Sequence, residues 1–123
     1  MSNSKIYKKQ ISEPWYSLIA TRCKTVEGRL HYDDWEKMHE GDIIEWYNLD
    51  FTPHINRELQ TIIQKKVVYP TFQSYLYHEG LNITLPSFEN IDDALKVYYK
   101  YYKQEDEKKY GVVAFHIKLI SKY

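Results

Sequence analysis

The segment Val112 to Ile120, VVAFHIKLI, alternates so that Val113, Phe115, Ile117 and Leu119 fall on one face. That period of two is the pattern of a strand with one side against a core. A second run, Leu59 to Tyr69, is rich in β-branched residues and stops at Pro70, a residue that cannot donate to a sheet ladder. Two long strands so far apart in sequence require a sheet that gathers distant parts of the chain. Shorter strand patterns occur at Lys5 to Ile11, with Ile6 and Ile11 as apolar anchors, at Thr25 to Leu30, and at Ile43 to Tyr47.

Helical patterns lie between them. Ser12-Glu13-Pro14 offers a capping hydroxyl, an acid for the first turn and a proline where its missing N–H costs nothing. Trp15, Leu18 and Ile19 then share one face of a short helix that stops near Arg22. This register sends Trp15 to the core and leaves Tyr16 as a lid over any neighbouring cleft. Asp34 to His39 reads as a turn or short helical piece closed by Gly41, and Asn48 to Glu58 as a loop. Thr71 caps a helix that Gly80 ends. Another begins at Asn90, with Asp92 and Asp93 in its first turn and Ile91, Leu95, Tyr98 and Tyr102 on one face. The charge run Gln104 to Lys109 is expected to be a solvated helix end. The order β-α-β-β-β-α-α-β has no regular βαβ alternation, so an α+β fold with a small, mostly antiparallel, barrel-like sheet and packed helices is expected.

At 123 residues the chain fits one domain with its own core. Seventeen basic and seventeen acidic side chains cancel, which excludes an overall basic field, so any nucleic-acid contact must rest on a local patch. No segment has the roughly 18 apolar residues of a membrane span, and MSNSKIYKKQ has no signal-peptide core. An intracellular protein, cytoplasmic or nuclear, without membrane partners is the expectation. The five histidines have neither paired helical spacing nor cysteine partners, so no metal is expected. A glycine-rich phosphate loop is also missing, and no cofactor is expected. Cys23 between Arg22 and Lys24 would be a reactive thiol only with a histidine beside it. The thirteen tyrosines serve as core, or as a stacking surface for bases.

The sharpest local feature is CKTVEGR, Cys23 to Arg29, where Lys24 occupies the turn and Thr25, Glu27 and Arg29 alternate onto one strand face. Two readings are open. Glu27 and Arg29 can form an ordinary ion pair beside a solvated Lys24. Alternatively, the group lines a ligand site in which Arg29 grips phosphate or a base edge with its fixed fork, Lys24 supplies a mobile cation and Glu27 orients either.

EPWYSLIATRCKTVEGRL, EGDIIEW and YGVVAFHI, in that order, resemble the ASCH domain, a member of the PUA-like β-barrel superfamily. The family signature is glycine, any residue, lysine, two residues, glutamate, any residue, arginine. Lys24, Glu27 and Arg29 stand at its charged positions and Arg22 stands at the glycine, where a left-handed turn is expected. The resemblance implies a PUA-like barrel with a cleft for RNA or a nucleoside-like small molecule, bound by Tyr16, Lys24, Thr25, Glu27 and Arg29. Some members hydrolyse N4-acetylcytidine through the motif lysine, a threonine and a distant glutamate. Lys24, Thr25 and Glu79 would be the corresponding catalytic residues, although Glu27 stands where those enzymes keep a second threonine. RNA cleavage assisted by Lys24 and Arg29 is a related implication. A third expectation is a protein-interaction adaptor using the charged helix Glu105 to Lys109.

Overall fold

The strand patterns resolve into β1 (Ile6–Gln10), β2 (Val26–Leu30), β3 (Ile43–Asn48), β4 (Arg57–Tyr69) and β5 (Val112–Lys122). The computed structural model describes residues 4–50 and 57–122. Of the loop expected from Asn48 to Glu58, the first residue closes β3 and the last two open β4. Residues 51–56 lie outside the described residues. The sheet order is β1-β3-β4-β5-β2. The β1–β3 pairing is parallel and the other three are antiparallel, so the sheet is mixed but mostly antiparallel. It curls into a half-barrel, the α+β architecture expected, and β1 and β2 are its two edges.

Among the described residues six helices fill the intervals: α1 (Trp15–Ala20), α2 (Asp33–Lys37), α3 (Phe72–Glu79), α4 (Leu81–Thr84), α5 (Ile91–Tyr99) and α6 (Gln104–Tyr110). The caps of α3 and α5 are those the sequence offers. Thr71 Oγ1 accepts the Ser74 N–H at 3.0 Å and Asn90 Oδ1 accepts the Asp93 N–H at 2.9 Å. At α1 the side chain that satisfies the first turn is Glu13, not Ser12. Its carboxylate accepts from the Ser17 N–H and hydroxyl at 2.9 and 2.6 Å. The charge run 104–109 is a separate helix rather than a solvated end. Glu107 is buried there, accepting the Phe72 N–H at 2.7 Å and the Tyr99 hydroxyl at 2.9 Å.

Two apolar layers pack on the sheet. Val113, Phe115, Ile117 and Leu119 of β5 join Trp35, Trp46, Ile19 and Tyr16 on one face. Val112 and Ala114 join Phe72, Tyr75, Leu76 and Tyr98 on the other. Tyr98 and Tyr102 both stack on Phe72, at 4.4 and 5.4 Å between ring centres. A close approach fixes α3 on β2. A Cβ on Gly28 would fall 2.4 Å from the Tyr75 ring, so only glycine lets the helix sit that near the strand.

Candidate functional site

Because the half-barrel is open, its edge strands leave a seam. A cavity of about 310 Å³ lies there, lined by Gln10 and Ile11 of the β1 end, by Trp15, by Lys24, Glu27 and Arg29, and by Tyr98, Tyr101 and Tyr102 on the α5 side. The local sequence explains how the charged residues reach it. Arg22 takes the left-handed conformation (φ 65°) expected at the signature glycine. The Arg22 N–H donates to Ile19 O at 3.0 Å and the Cys23 N–H to Leu18 O at 2.9 Å, the paired bonds of a Schellman helix end. The chain thereby reverses out of α1 and enters β2 with Lys24 pointing inward.

The three cleft charges form a closed set. Lys24 Nζ donates to Val26 O at 2.8 Å, to Thr84 O, and to Glu27 Oε1 at 3.1 Å. An ammonium has three protons, so its donors are all engaged. Arg29 Nε and Nη2 donate to Glu27 Oε2 at 3.1 and 2.9 Å. The guanidinium lies over Trp35 and Trp46, 4.6 and 5.6 Å from their ring centres, which fixes its plane. Lys24 is 2% exposed and Glu27 6%. Burial pushes the Glu27 carboxyl up, but Lys24 and Arg29 outweigh it and hold it below the usual carboxylate range. Burial lowers the Lys24 ammonium despite Glu27. Burial also acts to lower Arg29, yet Glu27 and Tyr102 keep its guanidinium firmly charged. Two cations against one carboxylate leave one positive charge in excess beside an aromatic-edged cavity. A site of this composition is suited to a polar, partly anionic, planar ligand.

The structure gathers Lys24, Glu27 and Arg29 in this cavity and separates the other predicted site residues from it. Thr25 precedes β2 and lines a second cavity with Arg22, Lys24 and His116. Tyr16 is buried, with the Arg57 guanidinium 4.5 Å from its ring centre, whereas Trp15 lines the seam. The expected roles of the two aromatics are thus exchanged. Lys24 is a locked strut between β2 and α4, not a mobile cation. Glu79 accepts the Tyr69 hydroxyl at 2.6 Å and lies 2.8 Å from His116 Nε2, off the line of a hydrogen bond. It lines neither cavity, whereas Lys24 and Thr25 meet at the second one. Sequence reasoning missed Gln10, Ser12 and Tyr101 as cleft residues. For Tyr101 the available signal was its place beside Tyr98 and Tyr102 at the end of α5.

A half-barrel with flanking helices and a charged seam defines a small α+β domain of the PUA-like kind. The sequence matches the ASCH domain family over residues 10–121, and the chain belongs to that family. Hypothetical protein PH0355, known from a crystal structure, is similar at 32% identity and a TM-score of 0.82, over 94% of this chain and 99% of that one. Protein PF0455 from Pyrococcus furiosus, known from a solution NMR structure, is similar at 31% identity and a TM-score of 0.74, over 94% of this chain and 97% of that one. No curated protein matches the sequence. Among the described residues no helix is long and apolar enough to cross a membrane, and no cluster of three metal-ligating side chains occurs.

Proposed function

We propose that the seam cavity binds a nucleoside unit of RNA or a free modified nucleoside. The observation that carries this reading is the Lys24–Glu27–Arg29 set, two of its members buried and the third half-buried, with one positive charge in excess, opening onto a cavity edged by Trp15, Tyr98, Tyr101 and Tyr102. A base has two polar edges and a π-face, and this lining offers partners for both. Arg29, anchored by Glu27 and the two tryptophans, addresses the base edge or an adjacent phosphate. Trp15 and the exposed Tyr101 supply flat surfaces. The cavity volume of about 310 Å³ lies at the small end of the roughly 300–1,000 Å³ usual for ligand pockets, which suits one nucleoside better than a longer segment.

Hydrolysis of N4-acetylcytidine has less support, because an ammonium with three engaged donors is a poor base and Glu79 lines neither cavity. The adaptor reading has less again, since Glu107 of the charged helix is committed to α3 and Tyr99. The test is fluorescence anisotropy of a labelled short single-stranded RNA across a salt series, together with calorimetric titration of cytidine and N4-acetylcytidine. Saturable binding that Arg29→Gln weakens by about tenfold or more is expected, the scale of losing charge-assisted hydrogen bonds. Equal affinity in the wild type and Arg29→Gln would remove the cavity from the function. Release of cytidine from N4-acetylcytidine, abolished by Lys24→Met, would replace binding with catalysis.

A further inference from the structure

A second cavity, of about 280 Å³, lies across Lys24 from the seam. It exists because two regular elements are interrupted there. The β4–β5 register shifts between Ile63 and Lys65, which leaves Gln64 out of the ladder. Thr25 precedes β2 while its backbone stays tied, its N–H to Ile83 O at 3.0 Å and its carbonyl to the Ile117 N–H at 2.9 Å. The polar lining comprises Arg22, Lys24, Thr25, Gln64, His116 and Lys118, besides the buried Thr61, and no acidic side chain lines it among the described residues.

The charges nearby sort into those that are balanced and those that are not. Glu27 offsets Lys24 from the seam side, and Glu79 faces His116. Arg22 and Lys118 are exposed, and neither forms an ion pair among the described residues. The Thr25 hydroxyl likewise has no hydrogen-bond partner among them. Arg22 holds its left-handed conformation (φ 65°) at a position where glycine would do so more cheaply. What the arginine adds to the turn is a guanidinium at the wall of this cavity. A fork of N–H donors, a mobile ammonium, a hydroxyl and an amide, with no acid among them, match the acceptor set of a tetrahedral oxyanion.

We propose that this second cavity is a phosphate-binding site, with Arg22 and Lys118 as its charged ligands and Thr25 and Gln64 as neutral donors. The proposal does not rest on occupancy of the seam. Two sources share the chemistry, a free phosphate or phosphomonoester and the phosphodiester of an RNA chain, and the experiment separates them. Backbone amide shifts of the labelled protein are followed during titration with inorganic phosphate and, separately, with a short oligouridylate. The variants are Arg22→Gly, which suits the left-handed turn, and Lys118→Gln, at an exposed strand position.

Phosphate is expected to move the amides of Thr25, Gln64, His116 and Lys118 saturably, and each variant should weaken that response by about tenfold, as for loss of a charged hydrogen-bond donor. Oligouridylate moving the same amides at lower concentration assigns the site to the RNA backbone; phosphate moving them alone assigns it to free phosphate. Absence of a saturable response at these amides with both probes, or responses unchanged in both variants, overturns the proposal. Arg29→Gln should leave the phosphate response intact. Failure of the seam reading therefore shows separately, as oligouridylate binding indifferent to Arg29.

Discussion

Two buried glutamates, one on β2 and one on α6, sit in different surroundings, and only the first lines the seam cavity. Glu27 on β2 and Glu107 on α6 are 6% and 5% exposed. Glu27 accepts from an ammonium and a guanidinium at the mouth of a cavity. Glu107 accepts from the Phe72 N–H and the Tyr99 hydroxyl, closing the first turn of α3 within the helical layer. Burial alone therefore says little about function. The partners separate the two, because neutral donors satisfied inside the fold have nothing left to offer a ligand, whereas a pair of cations around one carboxylate retains a charge and a direction.

The largest effect that can break this comparison is on stability. Glu27→Ala leaves the buried Lys24 and the half-buried Arg29 without a counter-charge and is expected to cost about 3–5 kcal/mol in denaturant unfolding; a loss under about 1 kcal/mol would place the cations in water. Glu107→Ala leaves the Phe72 N–H unpaired and is expected to cost about 1–3 kcal/mol, with RNA affinity unchanged. A fall in affinity there would tie the helical layer to the site.

Acid sharpens the contrast next. The Glu27 carboxyl is held low in the folded protein, so it contributes stability that is fully present above its unfolded pKa of about 4.3 and is lost as pH falls through the folded value. Glu13 and Asp34 are shifted in the same direction. The difference between the wild type and Glu27→Gln in unfolding midpoints across that window isolates the Glu27 part, and parallel profiles would contradict it. The smallest stability effect belongs to Tyr101→Ala. At 69% exposure the ring should cost no more than about 0.5 kcal/mol on removal, while RNA binding weakens through lost stacking, worth about 1–3 kcal/mol per base.

Much of the scaffold was legible because its signals are local and redundant. The β5 alternation, the Thr71 cap and the helix start near Asn90 each depend on a few neighbouring residues, whereas the left-handed turn at Arg22 was expected only from the family signature. What failed depends on which side of an element faces which layer. α1 has only six residues, and the pattern of Trp15, Leu18 and Ile19 competes with one through Tyr16 and Ile19. Packing against Arg57, far along the chain, selects the second. Glu107 was hidden in a run whose other charges are solvated, since nothing local announces that Phe72 will bring an unpaired N–H to it. The Lys24–Glu27–Arg29 grouping was visible in the spacing, but the engagement of all three Lys24 donors was not. One of them goes to Thr84, sixty residues away.

On the proposed function, the seam between β1 and β2 holds a nucleoside unit against Arg29 and the aromatic rim. Photo-crosslinking of a thiouridine-substituted short RNA, with the attached peptides mapped by mass spectrometry, tests it most directly. Crosslinks are expected on Trp15 and on Tyr98, Tyr101 or Tyr102, and they should diminish in Arg29→Gln. Crosslinks confined to residues outside the seam, or undiminished in that variant, would contradict the account.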